Sequence, residues 1–274
     1  MSYLAYHFIV QPPEPGSEIL MALIADLGFE SFDTTETGFT AYINSEQAGE
    51  IVLTAFNFDD FTYTYSIEHI ETVNWNAEWE KNFEPVWVDD LLCIRAPFHE
   101  KAAGAAHEIV IMPKMSFGTG HHQTTRLMCR HLFSMDLRGS RVLDMGCGTG
   151  ILAILARMLG SGEVLGIDID AWSVENAKEN CAMNGCSDIP VLEGDVDLLA
   201  GQAPFDVILA NINKNILKVQ IPAYASVIRP GGTLLLSGFF TTDVEELSEV
   251  AGRHGFTFLQ SRQENEWAMM VLQK

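Results

Sequence analysis

The chain has 274 residues, 47% of them apolar and 10% aromatic, so it can build a real core and is too long for one minimal domain. Sixteen Lys and Arg stand against 37 Asp and Glu, a net charge of −21. That balance excludes the broad basic face of a nucleic-acid binder and the polybasic patch of a membrane-surface protein. Residues 3–10 then read as a strand. Ser17 is a candidate N-cap, and Ile19, Leu20, Leu23, Ile24 and Leu27 follow at helical spacing up to Gly28. Residues 31–35 and 39–43 form a strand pair about Thr37-Gly38. Residues 47–56 read as a second helix and residues 61–70 as an alternating, β-rich strand. The order β-α-β-β-α-β predicts a small ferredoxin-like α+β domain over residues 1–70.

Residues 74–83 carry Trp75 and Trp79 four apart, which suits a helical linker packed against a neighbour better than base stacking. Short strands are expected at 86–88, 91–95 and 108–113, with residues 71–107 read as linker and pre-core segment. From Arg141 the pattern changes. Apolar runs at 141–145, 164–169, 191–192, 205–210 and 233–237 read as buried parallel strands. Helices at 152–159, 173–183, 216–227 and 244–254 alternate with them, and 256–260 with 266–272 closes the chain as a hairpin. Residues 108–274 are therefore expected to form a doubly wound α/β sheet, mostly parallel, with an antiparallel pair at one edge. Five scattered cysteines (Cys93, Cys129, Cys147, Cys181, Cys186), no Cys-x-x-Cys pair, no basic leader and no membrane-length apolar run predict a reducing, cytoplasmic setting.

The chemistry concentrates after the first core strand, in Asp144-Met-Gly146-Cys-Gly148-Thr-Gly150. Glycines let a backbone turn sharply and approach a ligand, and the helix behind them offers free N–H groups. Dinucleotide binders use Gly-x-Gly-x-x-Gly with a pyrophosphate on the helix end. Here the spacing is Gly-x-Gly-x-Gly, and Asp144 would repel a pyrophosphate but suit an ammonium. The pattern is similar to that of class I methyltransferases, which bind S-adenosylmethionine. Asp168, 22 residues after Gly146, stands where a ribose diol can donate to it, a feature both cofactor classes share. Asp195, after the third strand, is a candidate acceptor for an adenine amino group, against the plainer reading of a solvated loop acid.

Two more segments narrow the reading. Met115-Ser-Phe-Gly118-Thr-Gly120-His-His-Gln-Thr124-Thr125-Arg126 precedes the core, and Ala210-Asn211-Ile212-Asn213-Lys214 ends the fourth strand. With the glycine loop between them, nearly the whole chain resembles the PrmA family, bacterial methyltransferases of large-subunit ribosomal protein L11. The resemblance implies a recognition domain, a linker and a class I core. It places cofactor contacts on Thr125, Gly146, Asp168 and Asn211, beside Gly148 and Gly150 of the loop. One departure is visible. The family pattern continues after Ala-Asn-Ile towards Ala-Gly-Pro, whereas this chain has Asn213-Lys214-Asn215, so the loop beside the acceptor is expected to differ in shape.

The implied reaction is methyl transfer to lysine and N-terminal amines. Asn211 suits an orienting role, its amide oxygen accepting from the amine, and it cannot act as a base. Thr125 is expected either to cap the following helix, over 126–133, or to touch the cofactor carboxylate. His121-His122 lacks partners at ligand spacing, so no metal is expected. The alternatives are an rRNA or small-molecule methyltransferase, a nicotinamide-dependent reductase, or a non-catalytic binding module. The charge is unevenly spread. Residues 1–80 hold fourteen carboxylates and no Lys or Arg, leaving −7 for the rest. Ribosomal proteins are generally basic, so an acidic recognition domain would favour their encounter, by a monomer that makes no direct contact with nucleic acid.

Overall fold

In the computed structural model, described for residues 3–45, 48, 53, 56, 58–70, 83–102, 104–114 and 116–274, the chain divides into two units, Met1–Asn82 and Phe83–Lys274. The first contains β1 (Tyr3–Gln11), α1 (Pro13–Ala25), β2 (Ser31–Thr35), β3 (Gly38–Asn44) and β4 (Thr62–Ile70). Its sheet is antiparallel in the order β2-β3-β1-β4, the strand order of a ferredoxin-like sandwich. Alternation along β1 turns Tyr6, Phe8 and Val10 into a core with Leu20 and Ile24 of α1. Glu14 is extended (φ −115°, ψ 134°), so the continuous helix starts just after it, where Pro15 suits a first turn, and Ser17 is buried inside it instead of capping it. The helices expected at 47–56 and 74–83, the latter with Trp75 and Trp79, fall almost wholly outside the described residues.

The second unit opens with a three-stranded sheet of β5 (Val86–Val88), β6 (Leu92–Arg95) and β7 (His107–Val110). These strands, read from sequence as lying between the domains, bury Val88, Leu92, Ile94 and Ile109 in the same apolar cluster as Leu127 and Leu155 of the main core. After α2 (Gln123–Leu132) comes the large sheet. It contains β8 (Arg141–Met145), β9 (Glu163–Asp168), β10 (Val191–Glu193), β11 (Phe205–Asn211), β12 (Ile228–Phe240), β13 (Thr257–Glu264) and β14 (Trp267–Gln273). The helices between its strands are α3 (Ile151–Met158), α4 (Ala171–Met183), α5 (Lys214–Val227) and α6 (Val244–Arg253).

The strand order is β10-β9-β8-β11-β12-β14-β13. The first five strands are parallel, and β14 runs antiparallel to both its neighbours. Both faces are covered, which is why β8 and β11 read as unbroken apolar runs. Val142, Val207 and Leu209 enter the cluster on one face, and Leu143, Ile208 and Ala210 enter the cluster on the other. The chain enters at β8 in the middle, winds out to β10 and returns to β11 on the opposite side. The loops after β8 and β11 therefore diverge, and such a switch point is where an open α/β sheet receives its ligand. This is the class I methyltransferase arrangement. Among the described residues no helix is long and apolar enough to cross a membrane.

Candidate active site

A cavity of about 590 Å³ opens at the carboxyl ends of β8, β9, β10 and β11. Of the eight residues expected to hold a cofactor, five reach its wall: Gly146, Gly148, Asp168, Asp195 and Asn211. The glycine loop is shaped from two sides. Gly148 has φ +54°, and a Cβ there would collide with the carbonyl oxygen of Phe117. Thr149 N donates to Phe117 O at 2.9 Å, and Thr149 Oγ1 donates to Gly118 O at 2.7 Å. The Phe-Gly-Thr-Gly segment, the most specific part of the sequence pattern, thus braces the loop from behind.

Asp168 ends β9 and grips the loop from the front. Its Oδ2 accepts from Gly148 N at 2.8 Å and its Oδ1 from Asp170 N at 3.0 Å. Each oxygen retains a lone pair for a ligand. Asp195 Oδ1 accepts from Asp197 N at 2.9 Å, capping the short 3-10 turn Val196–Leu199. Asn211 closes β11 on the cavity wall, and its Oδ1 is buried without a hydrogen-bond partner.

Two expected cavity contacts are corrected, and so is the capping alternative for Thr125. Asp144 does not line the cavity. It is 1% exposed, and its Oδ2 accepts from Ala153 N at 3.0 Å, capping α3 from inside the core. Burial pushes its pKa up to about 7, opposed by the Ala153 N–H and assisted by the Asp168 carboxylate. Gly150 also stays behind the wall. It caps α3 at φ +78°, and a Cβ there would press on Ala177 of α4 at 3.2 Å. Thr125 neither caps nor lines. The helix begins earlier than expected, and His122 is its cap, accepting at Nδ1 from Thr124 N at 3.3 Å. Burial, helped by Arg126, lowers the His122 pKa and so favours the neutral ring that this acceptance needs. Thr125 sits three residues into α2 with its hydroxyl buried and unpartnered.

Sequence reasoning missed other parts of the wall. Asp170 and Ser173 come from the start of α4, and the Gly-Ile-Asp-Ile-Asp run before that helix was a usable signal for its cap. Trp267 comes from β14, its ring centroid 4.5 Å from that of His122 and 4.4 Å from that of Phe240. Nothing local to Trp267 announces this, because the antiparallel strand places it. The departing loop keeps a regular shape. Asn213 caps α5 by accepting from Ile216 N at 3.2 Å, and Lys214 pairs with Asp243 at 2.8 Å. His121 lies 3.1 Å from Thr119 Oγ1 and 3.1 Å from Glu84 O, so both its nitrogens have protein partners.

The electrostatics of the wall discriminate between ligands. Asp168, Asp170 and Asp195 line the cavity, and no Lys or Arg does so among the described residues. Such a wall opposes a pyrophosphate and favours a ligand carrying positive charge. A volume of this size suits a nucleoside-sized molecule. Asn211, on the wall, adds an amide whose oxygen has no protein partner, as a polar ligand site requires.

Comparison with known proteins agrees with this geometry. Residues 23–274 match the family model described as ribosomal protein L11 methyltransferase (PrmA). The chain belongs to the ribosomal protein L11 methyltransferase family. The protein of that name from Porphyromonas gingivalis is 47% identical, the match covering 98% of this chain and 97% of the relative. Its namesake from Chlorobaculum tepidum is 35% identical over 93% and 92%. Among solved structures, the ribosomal protein L11 methylase of Lactobacillus delbrueckii subsp. bulgaricus superposes with a TM-score of 0.64 at 28% identity. That superposition covers 69% of this chain and 98% of the other. S-adenosylmethionine is the cofactor of this family and fold.

Proposed function

We propose that this chain transfers methyl groups from S-adenosylmethionine to amino groups of large-subunit ribosomal protein L11, both lysine side chains and the N-terminal amine. One observation carries the cofactor half of the reading: the switch-point cavity is walled by three aspartates and, among the described residues, by no Lys or Arg. Membership of the family supports the acceptor half.

The residues present fit the cofactor. Asp168 would accept from the two ribose hydroxyls while holding Gly148 in place. Gly146 and Gly148 let the backbone come close, and Asp195 would accept from the adenine amino group. The Thr125 hydroxyl, next to the wall residue Thr124, is the candidate partner for the carboxylate end. Bound there, the cofactor supplies an electrophilic methyl on a sulfonium, which an amine must approach from the far side in line.

The chain contributes proximity and orientation, worth up to about 7–11 kcal/mol of barrier in a well-aligned site. Asn211 is the orienting residue. A half-turn of its amide brings the oxygen from its buried position to the cavity, where it accepts from the amine and leaves the lone pair aimed at the methyl. The amine must be neutral to attack. The first unit recognises the substrate, the second holds the cofactor, and the protein acts as a cytoplasmic monomer without contacting nucleic acid.

Calorimetric titration tests the cofactor half. S-adenosylmethionine is expected to bind and NAD is not. Binding of NAD alone would return the chain to the nicotinamide reading. Transfer of methyl to rRNA, and not to protein, would favour the rRNA alternative.

A further inference from the structure

Helix α4 carries Asn176 and Asn180 and ends on Asn184 as its C-cap, the three spaced four residues apart and so on one face. They meet the extended chain that leaves β7. Val110 N donates to Asn184 Oδ1 at 2.8 Å, and Val110 O accepts from Asn184 Nδ2 at 2.7 Å. Met112 N donates to Asn180 Oδ1 at 2.9 Å, and Met112 O accepts from Asn176 Nδ2 at 3.2 Å. The odd residues face the other way, Ile109 pairing with Ile94 and Ile111 N donating to Arg95 O at 2.8 Å. A helix rises about 6.0 Å in four residues. An extended chain rises about 6.6 Å in two. The two periods nearly match, so a row of asparagine side chains serves as the missing neighbour strand of β7.

The middle rung reaches further. Asn180, fully buried, also donates from Nδ2 to Thr149 O at 2.8 Å. Thr149 in turn holds Phe117 O and Gly118 O, and Gly148 N binds Asp168 Oδ2. One amide therefore joins the chain leaving β7 to the loop that shapes the cavity. None of the three asparagines lines that cavity.

We propose that Asn180 is a positioning residue for the cofactor: by tying Thr149 O to Met112 N it holds the glycine loop, and through Gly148 the Asp168 carboxylate, in the binding geometry. The proposal rests on the cofactor reading above. Asn184, which grips only Val110 and the helix's own Asn180 O, serves as the structural control.

The test is the dissociation constant for S-adenosylmethionine, by calorimetry on the full chain, beside the melting temperature and the kcat at saturating cofactor. Asn180→Ala is expected to raise the dissociation constant by about tenfold or more, with a smaller change in kcat. Asn184→Ala is expected to lower the melting temperature and leave the dissociation constant unchanged. If both variants melt earlier to the same extent and bind the cofactor as wild type does, the ladder is structural only and the proposal is overturned. Should Asn180→Ala fail to fold, Asn180→Leu fills nearly the same volume and removes both the donor to Thr149 O and the acceptor for Met112 N. Wild-type affinity in that variant would equally overturn the brace. A wild-type chain that binds no S-adenosylmethionine would instead overturn the cofactor reading itself.

Discussion

Asp168 accepts from two backbone N–H groups that belong to two different loops, and it does so on the wall of the cavity. Removing it loses a charged acceptor for the ligand and loosens Gly148 at once. Asp168→Ala is expected to weaken S-adenosylmethionine binding by about 1–3 kcal/mol, measured by calorimetry. An unchanged constant would contradict the assignment. Asn211→Ala removes the orienting oxygen and is expected to lower kcat by about tenfold or more in single-turnover assays. Asp144 makes a different prediction, because its role is internal. Its ordinary pKa of 3.8 rises to about 7 on folding, so the folded state binds the proton more tightly than the unfolded chain. Its contribution to stability is greatest below the unfolded value and is lost as pH climbs from about 4 to about 7. Asp144→Asn cannot ionise and can still accept from Ala153 N. Its unfolding free energy, followed by urea denaturation, is expected to be flatter across that window than the wild type's. Parallel curves would contradict the buried-acid role.

At the scale of elements, the core strands were legible because parallel strands covered on both faces leave unbroken apolar runs, as in β8 and β11. The glycine loop was legible because its backbone needs glycine, and Asp168 because it follows at the next strand's end. What failed was the assignment of direction. The sequence places Asp144 two residues before Gly146 but does not say that alternation turns its side chain inward onto α3. The capping alternative for Thr125 failed because its helix starts three residues early, with a histidine doing the capping that Ser, Thr, Asp or Asn usually does. The asparagine ladder was hidden for another reason. Four-residue spacing is visible on α4, but its partner is an irregular segment some seventy residues earlier, which no local pattern connects to it. Trp267 shares that difficulty, because it reaches the site through an antiparallel pairing with β12.

For the whole molecule, the opening charge of −21 takes on a direction. The nine carboxylates described in the first unit, among them Asp33, Glu36 and Glu68, are all exposed. No Lys or Arg occurs in residues 1–80 to neutralise them. Uncompensated surface charge of one sign raises the encounter rate with a partner of the other sign and is screened over about 10 Å at 0.1 M salt. Methylation of a basic protein is therefore expected to slow steeply as salt rises, in initial rates at subsaturating substrate, and a flat response would reduce the acidity to a means of staying soluble. The central claim is the acceptor. Incubating the chain with S-adenosylmethionine and purified large-subunit ribosomal proteins, then weighing each by mass spectrometry, tests it most directly. The account predicts that L11 gains whole multiples of a methyl mass on lysine and N-terminal amines. An unchanged mass for L11, with the cofactor shown to bind, would contradict it.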